Sequence, residues 1–364
     1  MRPAPLAVAL AAATLAAATL AATSRAAAPP PRTFPGKTWQ VRTPAEVGLD
    51  AAGLEASASH LGGRGCVVRY GTLVHTWGDA SKRGDVASAA KPVYTHFLLK
   101  ALEDDRIPSL DQPLLKWEPR LATLNPDLGH KDRGITWRHC ANQVSCYGLT
   151  QKPGTAYAYN DWQMALFWDT LFLKVYGATF KTVDEAVLRP LLTDPIGCED
   201  APTMMAFGTS NRPGRLAISC RDFARFGLLY LNKGKWNGRQ LLAERLAVMA
   251  VSDPVPNRIP RAGGKAAEMI PGQRSIGSRR IPDSQTDHLG SYSWLWWTNG
   301  VDRDGRRHWP DVPHDAFGAF GHGGKRAMVV LPGLRLIVAW NDARRTGREA
   351  ENTALARLAR AAAP

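Results

Sequence analysis

The stretch "DVASAAKPVYTHFLLKALEDDRIPSL", residues 85–110, holds the only S-x-x-K in the chain, Ser88 and Lys91. Val93, Tyr94, Phe97, Leu98, Ala101 and Leu102 follow at helical spacing, and Pro108 closes the run. Residues three apart share a helix face, so Lys91 can reach the Ser88 hydroxyl. A serine at a helix N-terminus also has free backbone N–H groups and the positive dipole end beside it, which suits a developing oxyanion. A bland alternative competes: an ordinary helix start with a solvated lysine. Alone, the pattern does not decide between them.

Two further stretches narrow the choice. "PGTAYAYND", residues 153–161, places Tyr157, Tyr159, Asn160 and Asp161 after a Pro-Gly turn and before an apolar helix. A tyrosine hydroxyl beside a serine could relay its proton; the local alternative is core tyrosines with Asp161 as a helix N-cap. "FGHGGKRAMVVLPGLRLIVAWND", residues 320–342, places His322-Gly323-Gly324 at a strand edge, where glycine permits close backbone approach and an N–H can face an oxyanion. Its local alternative is a hairpin turn with an incidental histidine.

Around these motifs, "GCVVRYGTLVHTWGD" (65–79) reads as a hairpin turning at Tyr70-Gly71. Helices follow, including 160–177 and one from an N-cap at Ser219 to Gly234. Residues 254–287 read as an irregular surface loop. Strands return at 291–299, 317–324, 326–333 and 334–342, and a last helix starts near Arg348. Strands at both ends with helices between suggest one sheet built from both termini, with a helical insertion.

The 364 residues are 45% hydrophobic, enough for a sizeable core. The first residues combine a charged start, an Ala/Leu run and the small-x-small Ser24-Arg25-Ala26, which reads as a secretory signal over 1–26, with a Pro-rich flexible leader over 27–40. The expectation is an exported protein, periplasmic or extracellular, with no stable membrane anchor after cleavage. In such a compartment Cys140 and Cys146 could bridge locally, and the odd count of five cysteines leaves a thiol over. The net charge of +14 is scattered, without a basic helix, so no nucleic-acid partner is expected. No metal site is expected either: Cys/His spacing does not suit zinc, and His308, Asp311, His314 and Asp315 read as a loop. "SWLWWTN" (293–299) reads as a core strand from which Trp296 or Trp297 could still face a pocket. G-x-S-x-G and H-E-x-x-H are both absent.

Taken together, S-x-x-K, Tyr-x-Asp after Pro-Gly, and His-Gly-Gly before two strands resemble the serine β-lactamase and penicillin-binding-protein superfamily, and more narrowly its class C β-lactamase-related branch. The resemblance runs from about Val47 to the C-terminus. It implies an α/β (α+β) fold, a mainly antiparallel sheet flanked by helices with an all-helical subdomain: 41–115 and 285–364 form the α/β part and 116–284 a mainly helical part. It implies Ser88 as nucleophile, Lys91 as its base partner and Tyr159 as proton relay. His322, Gly324, Lys325 and Asp161 would sit on the substrate and oxyanion side, with the N–H groups of Ser88 and Lys325 forming the oxyanion hole. No cofactor is implied, and the partner would be a small-molecule or peptide acyl substrate. Three departures stand out. Asp161 replaces the family asparagine, His322 replaces a lysine, and "HCANQVSCYG" (139–148) replaces a Leu/Thr/Ser-rich segment. They favour an ester or amide substrate over a β-lactam. The alternatives are D-alanyl-D-alanine carboxypeptidase or β-lactamase-type activity, and a catalytically weak binding protein on the same scaffold.

Overall fold

The computed structural model describes residue 1 and residues 31–205, 214–263, 265–280 and 286–362. The expected signal segment lies outside them. No described helix is long and apolar enough to cross a membrane.

Eleven strands are present among the described residues: β1 (Arg64–Arg69), β2 (Thr72–Trp77), β3 (Gly84–Asp85), β4 (Ala217–Ile218), β5 (Lys235–Trp236), β6 (Arg239–Gln240), β7 (Tyr292–Ser293), β8 (Trp296–Thr298), β9 (Phe317–Gly321), β10 (Arg326–Leu331) and β11 (Leu336–Asn341). Seven of them form one sheet in the order β2-β1-β11-β10-β9-β8-β7. Every pairing in it is antiparallel. The helices are α1 (Ala51–Leu61), α2 (Lys91–Glu103), α3 (Trp137–Ala141), α4 (Asp161–Trp168), α5 (Cys220–Leu231), α6 (Glu244–Ser252) and α7 (Arg348–Ala361).

The central strands are apolar throughout because both faces are covered. Cys66, Val68, Met328, Val330, Ile337 and Ala339 point into the larger core. Their neighbours Val67, Ala327, Val329, Leu331, Leu336, Val338 and Trp340 point into a second core under α1 and α7. This is the period-two alternation of a strand with a helical layer on each side. Asp50 caps α1 by accepting from Gly53 N at 2.8 Å, and Ser219 caps α5 by accepting from Asp222 N at 3.1 Å.

Four expectations need correction. First, the middle of the chain is not all-helical. It contributes β4, β5 and β6, and α5 packs on β1, β10 and β11 of the sheet. Second, the described part of the leader is pinned down. Thr33 N donates to Tyr70 O at 3.0 Å, Phe34 packs edge-on against Trp236, and Trp39 lies buried under Arg225. Third, Cys140 and Cys146 are separate thiols. Cys140 faces the larger core, whereas the Cys146 thiol donates to Ala156 O at 3.3 Å in a satellite cluster. Fourth, part of the segment read as a surface loop is a cavity wall, as described next.

Candidate active site

Ser88 lies in a short 3-10 turn, Ala87–Ala90, that runs directly into α2. Asp85 shapes that turn. Its Oδ1 accepts from Ala87 N at 2.8 Å, and the guanidinium groups of Arg215 and Arg326 hold the same carboxylate. Ala87 then adopts a left-handed φ of 49°, an uncommon conformation held in place by these contacts.

Lys91, the first residue of α2, is 4% exposed. Its Nζ donates to Ser88 Oγ at 2.8 Å and to Asp161 Oδ1 at 3.2 Å. It also sits 4.5 Å from the centroid of the Tyr159 ring. A buried ammonium is costly without compensation, and here a carboxylate and an aromatic face supply it. Asn160, not Asp161, caps α4: its Oδ1 accepts from Trp162 N at 2.8 Å. That leaves the Asp161 carboxylate to turn toward Lys91, with its Oδ2 accepting from Ser278 N at 2.7 Å. Asp161 therefore belongs to the proton-bearing cluster as much as to the substrate side.

These residues line a cavity of about 870 Å³. Its walls include Tyr94, Arg215, Ile276 to Arg280, Trp297, His308, Phe320, His322 to Gly324, Arg348 and Glu351. Structure therefore brings Ser88, Lys91, Tyr159, Asp161, His322 and Gly324 together. Lys325 is not among the residues lining the cavity, and its N–H donates to His322 O at 3.3 Å within the turn. The close approach comes instead from Gly321 at the end of β9. A Cβ there would collide with Val86 O and stand 3.1 Å from Ser88 N. Burial lowers His322 below the ordinary imidazole value, and Arg326 and Arg215 add to it. Its ring is thus mostly neutral near pH 7.

The tryptophan alternative resolves by residue. Trp296 is core, stacked on Phe226 at 5.5 Å, while Trp297 lines the cavity. The 308–315 loop does not converge on an ion. Asp311 accepts from Asn352 Nδ2 at 2.7 Å, and Asp315 accepts from Gly333 N at 2.8 Å. No metal-ligating group of three or more is found among the described residues.

Arg279, Arg280, Arg348 and Glu351 were not singled out from the sequence. For Glu351 a signal exists. It falls on the stripe Glu351, Ala354, Leu355 and Leu358, the buried face of α7. Burial lifts its carboxyl to about 7, against an ordinary value of about 4.3. The protonated form is the one the fold favours. That contribution is complete below the ordinary carboxylate value and is lost as pH rises to about 7. Glu351→Gln cannot ionise. Its stability relative to the parent is expected to rise between pH 5 and pH 8, by on the order of 1–3 kcal/mol. Denaturant midpoints at the two pH values measure this, and an equal difference at both would contradict it.

No family model matches the chain, and no curated protein does either. Solved structures do. A β-lactamase from Mycobacterium bovis aligns with TM-score 0.56 and 17% identity over 85% of this chain and all of its own (100%). EstCE1, a hydrolase with promiscuous acyltransferase activity, aligns with TM-score 0.57 and 11% identity over 84% of this chain and 97% of its own. A D-stereospecific amidohydrolase from a Streptomyces species aligns with TM-score 0.52 and 16% identity over 81% of this chain and 96% of its own. At such identities the shared property is the fold. With its antiparallel sheet, flanking helices and inserted middle segment, the chain has the fold of the serine β-lactamase and penicillin-binding-protein structures.

Proposed function

We propose that the protein is a serine hydrolase that cleaves an ester or amide through an acyl-enzyme on Ser88. The observation that carries this reading is the Lys91 Nζ to Ser88 Oγ contact of 2.8 Å on the wall of an open cavity. Acylation draws on Lys91 that has first released its ammonium proton to water in the cavity. Ser88 Oγ attacks the carbonyl carbon, and its proton passes to Lys91 Nζ. The oxyanion is held by the Ser88 N–H and a backbone N–H at the Gly321–His322 end of β9. The carbon–oxygen or carbon–nitrogen bond then breaks, and the proton goes to the leaving group with Tyr159 as relay. Water attacks the acyl-enzyme and frees Ser88. Export to the periplasm or beyond forms part of the same proposal, on the strength of the N-terminal sequence.

The ester or amide preference rests on Asp161. Where the resembled family has an amide donor, this chain has a carboxylate already engaged by Lys91 and Ser278 N. A p-nitrophenyl fluorophosphonate-type probe should add one mass equivalent to the folded protein, and Ser88→Ala should abolish the adduct. An unlabelled folded protein would instead favour a binding role. Chromogenic esters, anilides and a cephalosporin run side by side then separate the activities.

A further inference from the structure

One wall of the cavity takes no part in that chemistry. Glu351 is 8% exposed there, on the buried stripe of α7. Its Oε2 accepts from Trp309 Nε1 at 3.2 Å. Its Oε1 lies against Gly324, where any Cβ would run into it. His308 is also 8% exposed and lines the same cavity. Its Nδ1 is buried and has no hydrogen-bond partner. Trp297 stacks on the His308 ring at 5.4 Å and 17°, and Phe320 closes the apolar side.

We propose that Glu351, His308 and Trp297 form a subsite for a primary ammonium group carried by the ester or amide that Ser88 cleaves. The assignment rests on the hydrolase reading above for what is cleaved, but not for what is bound. A buried carboxylate without a cation is costly. No ion pair to Glu351 is present among the described residues. Arg348, one turn earlier on α7, is exposed at the cavity mouth. A primary ammonium would bring the missing charge and three N–H donors. One fits the Glu351 carboxylate, and the stacked Trp297 and His308 rings line the same cavity. Burial keeps the His308 ring neutral, lowering it to about 3, so the imidazole does not repel the cation. Gly324 completes the fit, since a side chain there would displace the carboxylate.

A purely structural Glu351, bonded to Trp309 and bracing the turn, would not discriminate ammonium from methyl. The test therefore uses full-length Ser88→Ala protein, in which binding is separated from acylation. Calorimetry would compare ω-amino amides of three to six carbons, each with its isostere bearing methyl in place of ammonium. At least one chain length should bind about tenfold tighter than its isostere, and Glu351→Gln in the same background should bring that ratio toward one. The proposal is overturned if no chain length prefers ammonium, or if the preference survives Glu351→Gln. The comparison within the Ser88→Ala protein stands even if the second substitution harms folding. Because no acyl transfer is read, failure of Ser88 to react with the phosphonate leaves this result intact.

Discussion

Lys91→Met is expected to slow acylation of Ser88 roughly 10³-fold or more, and to destabilise the fold as well. The two effects have different origins and can be separated. The catalytic loss follows from removing the lysine nitrogen that contacts Ser88 Oγ, at 2.8 Å. The stability loss follows from Asp161, which is 6% exposed and loses its cationic partner when the ammonium leaves. Removing one partner of a buried pair costs about 3–5 kcal/mol. The lower end applies here, because Ser278 N still donates to Asp161 Oδ2 at 2.7 Å. Asp161→Asn keeps an acceptor for Ser278 N and removes the charge. The double variant Lys91→Met/Asp161→Asn should therefore recover most of the stability while staying as inactive as the single variant. Urea midpoints and single-turnover acylation, read by intact mass with a p-nitrophenyl ester, measure both quantities. Stability and activity recovering together would make Lys91 a structural residue.

The same cluster shows which parts of the site were legible in sequence. Ser88 and Lys91 are three apart at a helix start, so local periodicity already put them on one face. Tyr159 and Asp161 lie some seventy residues further on, and only the resemblance joined them to Ser88. The sheet was legible for a similar reason: "RAMVVL" and "LIVAWN" are apolar at every central position because each face meets its own core. Contacts that depend on tertiary approach were not legible. Nothing local to Ile276 to Arg280 marks it as a wall, since its anchors are Asp161 O for Ile276 N (3.2 Å) and the Asp161 carboxylate for Ser278 N. Cys140 and Cys146 are close in sequence, yet they face different clusters. The run Gly321-His322-Gly323-Gly324 is a further case. Any of its glycines could be the one pressed against the nucleophile, and spacing alone cannot choose among them.

Gly321→Ala decides that register. The substitution should lower kcat about 10²-fold with a much smaller change in KM. Gly321 is not among the residues with positive φ, so alanine can adopt its backbone conformation without strain. The cost arises from contact. The new Cβ would run into Val86 O and lie 3.0 Å from Ala89 N and 3.1 Å from Ser88 N. All three are backbone atoms of the turn that carries the nucleophile, and none can swing aside as a side-chain end would. Either β9 moves outward or the turn yields, by a few tenths of an ångström. Both movements spread the N–H groups that hold the oxyanion, whose effect depends on donor distances of about 2.7–3.1 Å. The accompanying stability loss should be modest, about 1–3 kcal/mol, as for other overpacked sites. Gly324→Ala acts elsewhere. Its φ of +86° and its collision with Glu351 direct the damage to folding and to the α7 wall. Had Lys325 N–H been the second oxyanion donor, the order would reverse, and Gly324→Ala would be the more damaging to kcat. Steady-state kinetics of the two variants, each normalised to its folded fraction, therefore distinguish a hole built on the end of β9 from one built on the turn after it.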